Sequence, residues 1–200
     1  MIVVSSISEA IRLPLTPPPF RIETLPPPAR RDTLATTRDS PATIAMMQLS
    51  DIFLRMGPEQ FEQLLRSISL GRLKTFQMFE PFKTRLHLHK LNTETLRKCA
   101  PRQFARLQEE GNADLATDLA QAILISHMDM IKAVLDELGV PHEDGFFAKD
   151  TDVSAYLKQG WQQTAWDKFH GQYPPAALLF YINHLAWEVT KAEDLFAPAA

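Results

Sequence analysis

His127, His184 and Glu188 are the residues of this chain whose types and spacing could do chemistry. His184 and Glu188 stand four apart, which on a helix puts an imidazole and a carboxylate on one face, where they can share a metal ion or a proton. His127 falls inside an apolar stripe of a preceding segment and would supply a third group from a second helix. The three would form a metal-assisted or acid–base site between core helices. Asp167 and His170 repeat the carboxylate–histidine pairing at a spacing of three. No Glu-x-x-His or His-Glu-x-x-His motif is present, and spacings of three and four are common by chance. The plainer expectation is a core histidine hydrogen-bonded to a neighbouring helix, with no cofactor.

Two other sets carry less chemistry. His87 and His89 could point one way if their segment were extended, but Arg85 and Lys90 flank them, and nearby cations oppose a second cation. Cys99 stands between Lys98 and Arg102, which would favour a thiolate if it were exposed. As the chain's single cysteine it excludes an internal disulfide and a Cys-rich zinc site.

Charge is segregated along the chain. Residues 66–106 hold ten Lys and Arg against Glu80 and Glu94, a net of +8, while 107–152 hold eleven Asp and Glu against Lys132 and Lys149, a net of −9. Such asymmetry implies an anionic partner for the first block or the second block folded against it. Arg72, Lys74, Lys83, Arg85 and Lys90 are the candidate contacts, with Phe76, Phe79 and Phe82 interleaved as in single-strand nucleic-acid binders. A net charge of −3 for the whole chain favours pairing within the fold or between subunits over nucleic acid.

The elements that must position these groups read as helices. Eight of the fifteen prolines precede residue 45, so 1–45 reads as an extended or disordered tail, or as sequence upstream of a start at Met46 or Met47. Residues 46–196 read as a single helical domain. A first stripe (Leu49, Ile52, Phe53, Met56) stops at Gly57, and Pro58 opens the next helix, with Phe61, Leu64, Leu65 and Ile68 inward. Leu73, Phe76 and Phe79 continue a third segment to Pro81. Asn92 or Thr93 caps a short helix to Cys99, and Pro101 starts another. One long helix is expected from 113 to 138, stopped by Gly139, then a loop over 139–150. Asp150 or Thr151 caps a helix through Phe169 whose stripe includes Tyr156 and Trp161. Pro174-Pro175 opens a last helix, apolar nearly all round, expected at the centre of the bundle.

The fold class is therefore all-α, an irregular bundle of five to seven helices. Phe146 and Phe147 in the 139–150 loop either tuck it against the bundle or anchor a partner. The longest apolar run, Ala176–Ile182, is too short for a bilayer span, and the expected compartment is the cytoplasm. Without a phosphate loop or a nucleophile–base set, the expected function is a non-catalytic protein-interaction module that binds a protein partner or itself. Nucleic-acid binding through 66–106 and the enzyme built on His127, His184 and Glu188 are the alternatives.

Overall fold

The computed structural model describes residues 47–78, 80–82, 92–109, 111–191 and 194–198. The proline-rich segment 1–45, and with it the question of a start at Met46, lies outside the described residues, as do His87 and His89. The fold is all-α, with seven α-helices and one minimal hairpin among the described residues: α1 (Leu49–Arg66), α2 (Leu70–Phe76), α3 (Thr93–Leu107), α4 (Ala113–Ser126), α5 (Met128–Leu138), β1 (His142–Glu143), β2 (Phe146–Phe147), α6 (Trp161–Phe169) and α7 (Pro175–Thr190). Short 3-10 turns cover Glu80–Phe82 and Val153–Tyr156.

Local sterics set the first boundary. Gly57 adopts φ 78, ψ 166 within α1, a backbone region essentially confined to glycine. Pro58 follows it, and the two halves of α1 kink there as their residue types require. Ile52, Phe53, Phe61, Leu64 and Leu65 are fully buried, and α1 packs against α3, α4 and α7. Opposite it, every residue of α7 from Ala176 to Ala186 is buried, and Phe180 stacks on Phe53 with ring centroids 4.8 Å apart.

Two polar side chains of α7 hold neighbouring segments. Asn183 pins the C-terminal stretch by accepting from the Phe196 amide at 2.7 Å and donating to its carbonyl at 3.2 Å. Trp187 donates its indole N–H to the Met47 carbonyl at 2.9 Å.

Five sequence expectations are corrected. The helix expected over 113–138 breaks at His127 (φ −117, ψ 28), which ends α4 and begins α5. Ser126 donates back to the Ala122 carbonyl at 2.7 Å, an interaction that bends helices. Conversely, α3 runs through Pro101 without stopping. Both Pro101 and Arg97, the residue whose carbonyl loses its helical partner, are exposed, so water can satisfy that carbonyl. Its start is as expected: Asn92 accepts from the Thr95 amide at 2.9 Å, and Thr95 accepts from the Asn92 amide at 2.8 Å.

The helix expected from 151 shrinks to α6. Asp152 caps only a 3-10 turn, and Gly160 in the left-handed region (φ 78) starts the helix afresh at Trp161. Finally, part of the expected 139–150 loop is a hairpin. Asp144 and Gly145 take φ 53 and 91, the pair of positive values that a two-residue turn of this kind needs. Phe76 also departs from its expected inward face, being 43% exposed on α2, while Leu73 fills the core.

Candidate functional site

Tyr181, His184 and Glu188 occupy positions i, i+3 and i+7 of α7, one face of the helix. All three are buried. They line a half-open cleft whose other walls come from Leu124 and Ile125 at the end of α4, Met128 and Ile131 of α5, and the hairpin. The cavity there is small, about 30 Å³, room for the centres of one or two water-sized groups. The break at His127 turns the chain between α4 and α5, which contribute adjacent parts of one wall. Gly145 brings the hairpin down on α5: a Cβ at this position would lie 3.0 Å from the Met128 methyl and 3.5 Å from Ile131.

The hairpin is tied to the surface of α5 by one exposed ion pair and one histidine–carboxylate hydrogen bond. Lys132 donates to Asp144 at 2.9 Å, and His142 lies 3.2 Å from Asp136 while accepting from the Gly145 amide at 3.2 Å. Solvent screens exposed contacts of this kind, so they locate the hairpin without clamping it. Its firmer hold is apolar, since Phe146 and Phe147 pack against the core cluster.

Inside the cleft the polar groups are arranged unevenly. His184 Nδ1 faces the Glu188 carboxylate at 3.7 Å. His184 Nε2 and the Tyr181 hydroxyl are buried with no hydrogen-bond partner among the described residues. Burial, and secondarily the Lys191 charge, lowers the His184 pKa to about 4, so the ring is neutral at physiological pH. Burial, reinforced by Glu188, pushes the Tyr181 phenol well above its ordinary value. With Nδ1 turned to a carboxylate, the single ring proton belongs there, and Nε2 presents a lone pair. The residues lining the cleft therefore carry a buried acceptor at His184 and a buried donor and acceptor at Tyr181, with the Glu188 carboxylate on the Nδ1 side of the imidazole.

His127 does not join this group. Its Nε2 lies 3.0 Å from Ser67 Oγ, whose own proton goes to the Leu64 carbonyl at 2.7 Å. Nε2 must then be the donor, and the ring ties the end of α1 to the α4–α5 break. Burial, and then Arg72, lowers its pKa to about 4 as well. Among the described residues no group of three His, Cys, Asp or Glu side chains is brought together as metal ligands. Sequence spacing thus paired His184 with Glu188 but set His127 with the wrong partners.

The second His–carboxylate pairing is not made either. Asp167 accepts from Gln163 at 2.7 Å, while His170 bonds the Trp166 carbonyl at 2.9 Å. Cys99 is buried in α3, and burial raises its thiol pKa against the opposing Arg102, which disfavours the thiolate.

The basic block divides. Arg72 donates to Asp129, the acidic residue just past the α4–α5 break, so this cation is neutralised within the fold. Arg97 and Lys98 lie 3.3 and 3.7 Å from Glu94 in their own helix. Lys74 is exposed. Lys83, Arg85 and Lys90 lie outside the described residues. Tyr181 is the member of the cleft that sequence reasoning missed, having been counted as part of an apolar stripe. Its position three residues before His184 was the available signal.

Compared with known proteins, the chain matches no family model, no curated protein and no solved structure. No helix among the described residues is long and apolar enough to cross a membrane.

Proposed function

We propose that the protein is a non-catalytic helical binding module, and that its ligand is a small molecule received in the cleft between α4, α5, α7 and the hairpin. One observation carries this reading: Tyr181 Oη and His184 Nε2 are buried without a partner among the described residues, on two side chains that line an apolar cleft. Buried polar groups that lack partners cost about 1–3 kcal/mol each, and an apolar pocket with a few convergent polar groups is the usual form of a ligand site. Binding is favoured over catalysis because a His pKa of about 4 makes a poor general base at neutral pH. Among the described residues the cleft lining contains no Ser, Thr, Cys or Lys nucleophile.

The protein-interaction role expected from charge segregation has thinner support. Among the described residues the exposed large hydrophobics are Phe76 and Tyr156. They sit on different elements, whereas interaction sites are marked by contiguous patches. Phe146 and Phe147 are half-buried in the cleft wall, which suits them to a ligand better than to a protein partner.

The test is a thermal-shift survey of the full chain with small aromatic molecules that each carry one polar group, run beside Leu124→Trp, which fills the cleft. Some members are expected to raise the melting temperature of the parent protein and none that of the filled variant. Equal shifts in both proteins, or no shift in the parent, would overturn the proposal.

A further inference from the structure

Resting on the reading of the cleft as a ligand site, we infer that its ligand is a small neutral hydroxyl compound whose O–H donates to His184 Nε2 and whose apolar body lies against Phe146 and Phe147. The two orphan atoms select this class. His184 is 1% exposed and Tyr181 4%, and each carries a polar atom with no partner among the described residues. With Nδ1 on the Glu188 side, Nε2 is an acceptor and needs a donor. The Tyr181 hydroxyl, three residues earlier on the same helical face, both donates and accepts. A ligand hydroxyl matches the pair in kind: its proton serves Nε2, and its oxygen keeps lone pairs for the Tyr181 O–H. A ketone, ether or nitrile has no proton to give and leaves Nε2 bare.

Charge restricts the ligand to a neutral one. Burial keeps the His184 ring uncharged at physiological pH. Glu188 is engaged within the fold and stands on the Nδ1 side of the ring, so it is no open counter-charge for a cation bound at Nε2. For an anion, the described lining holds no Lys or Arg, and Lys191 is held over the Trp187 ring, 5.0 Å from its centroid. A charged head would therefore lose its hydration without an opposite charge to replace it, which is costly in an apolar site. A hydroxyl gives up far less.

Size sets how the ligand lies. A cavity of about 30 Å³ admits a hydroxyl and its adjoining carbon, so the body must extend along the hairpin, where Phe146 and Phe147 are half-buried. The hairpin sits close to α5 there, since even a Cβ on Gly145 would lie 3.0 Å from the Met128 methyl. A flat ring or a short chain fits such a slot.

The experiment is calorimetric titration of the full chain with four probes on one skeleton: benzyl alcohol, benzonitrile, benzylamine and benzoate. Benzyl alcohol is expected to bind about 5- to 50-fold more tightly than benzonitrile, which accepts but cannot donate, as one buried group left unpaired implies. The two charged probes should bind more weakly than the alcohol. His184→Phe should erase the advantage of alcohol over nitrile. Benzonitrile binding as tightly as the alcohol, or an advantage that survives His184→Phe, would overturn the hydroxyl assignment and leave the cleft as a ligand site. Tighter binding of benzylamine or benzoate would overturn neutrality and likewise spare the site. Binding of no probe, or binding of all four that survives Leu124→Trp, would overturn both. The ranking of probes on the parent protein stands even if a variant fails to fold.

Discussion

Replacing Phe180 by alanine is expected to lower stability by about 3–5 kcal/mol. The ring is fully buried. It stacks on Phe53, which in turn meets Phe61 edge-to-face at 5.8 Å, so one deletion opens a void at the joint between α7 and both halves of α1. Because α1 is kinked at Gly57 to follow this surface, neither half can collapse into the void without losing its own contacts. For a chain of this size the loss corresponds to a fall in melting temperature of about 6–20 °C. Urea unfolding checks it, through a lower midpoint at unchanged slope. A loss below about 1 kcal/mol would mean that this face of α7 is not held by α1. Phe180 also touches His184, with ring centroids 5.7 Å apart, so the same substitution should loosen the polar end of the cleft.

Acid should destabilise the protein well before its carboxylates are all protonated. His127 and His184 each have a pKa lowered from 6.5 to about 4. The unfolded chain therefore takes up both protons near pH 6.5, while the folded protein refuses them until about pH 4. Through that window the unfolded state binds more protons, so stability is fully present above about pH 6.5 and falls as pH drops toward 4. Each histidine accounts for about 3 kcal/mol over the window, at about 1.4 kcal/mol per unit.

The groups facing the two rings sharpen the expectation. His127 has Arg72 beside it and donates to Ser67. His184 has Lys191 nearby and Glu188 at 3.7 Å. Urea unfolding at pH 7, 6, 5 and 4.5 should show a decline of up to about 3 kcal/mol per pH unit, the contribution of two protons. His127→Gln and His184→Gln should each remove about half of it. A flat profile, or an unchanged decline in the double variant, would contradict the burial of neutral imidazoles.

What could be read in the sequence divides along a physical line. Positions where the chain's own sterics decide were legible: the Gly57–Pro58 kink, the Gly139 stop and the Pro175 start each follow from one residue's allowed backbone. The break at His127 was not, because a single non-helical residue leaves the apolar period on either side almost in phase. Leu115, Leu119 and Ile123 run on to Ile131 and Leu135 as though the helix were continuous. Pro101 misled in the opposite direction, since its cost depends on whether Arg97 is exposed, which is a tertiary fact. The Asp144-Gly145 turn was a readable hairpin signal, but two-residue strands are too short to alternate.

The site was half legible for the same reason. His184 and Glu188 share a helix, so their spacing implied their contact. The partner of His127 depends on how α1 crosses the α4–α5 break, and periodicity does not encode that. Tyr181 was hidden because a tyrosine on an apolar helix reads as packing until its buried hydroxyl is found to lack a partner.

The decisive measurement is a long-range proton–nitrogen correlation spectrum of histidine-labelled protein at pH 7, with His184→Gln to assign the ring. The cleft as described requires a neutral His184 with its proton on Nδ1 and a bare Nε2. A proton on Nε2, or a doubly protonated ring at this pH, would contradict it.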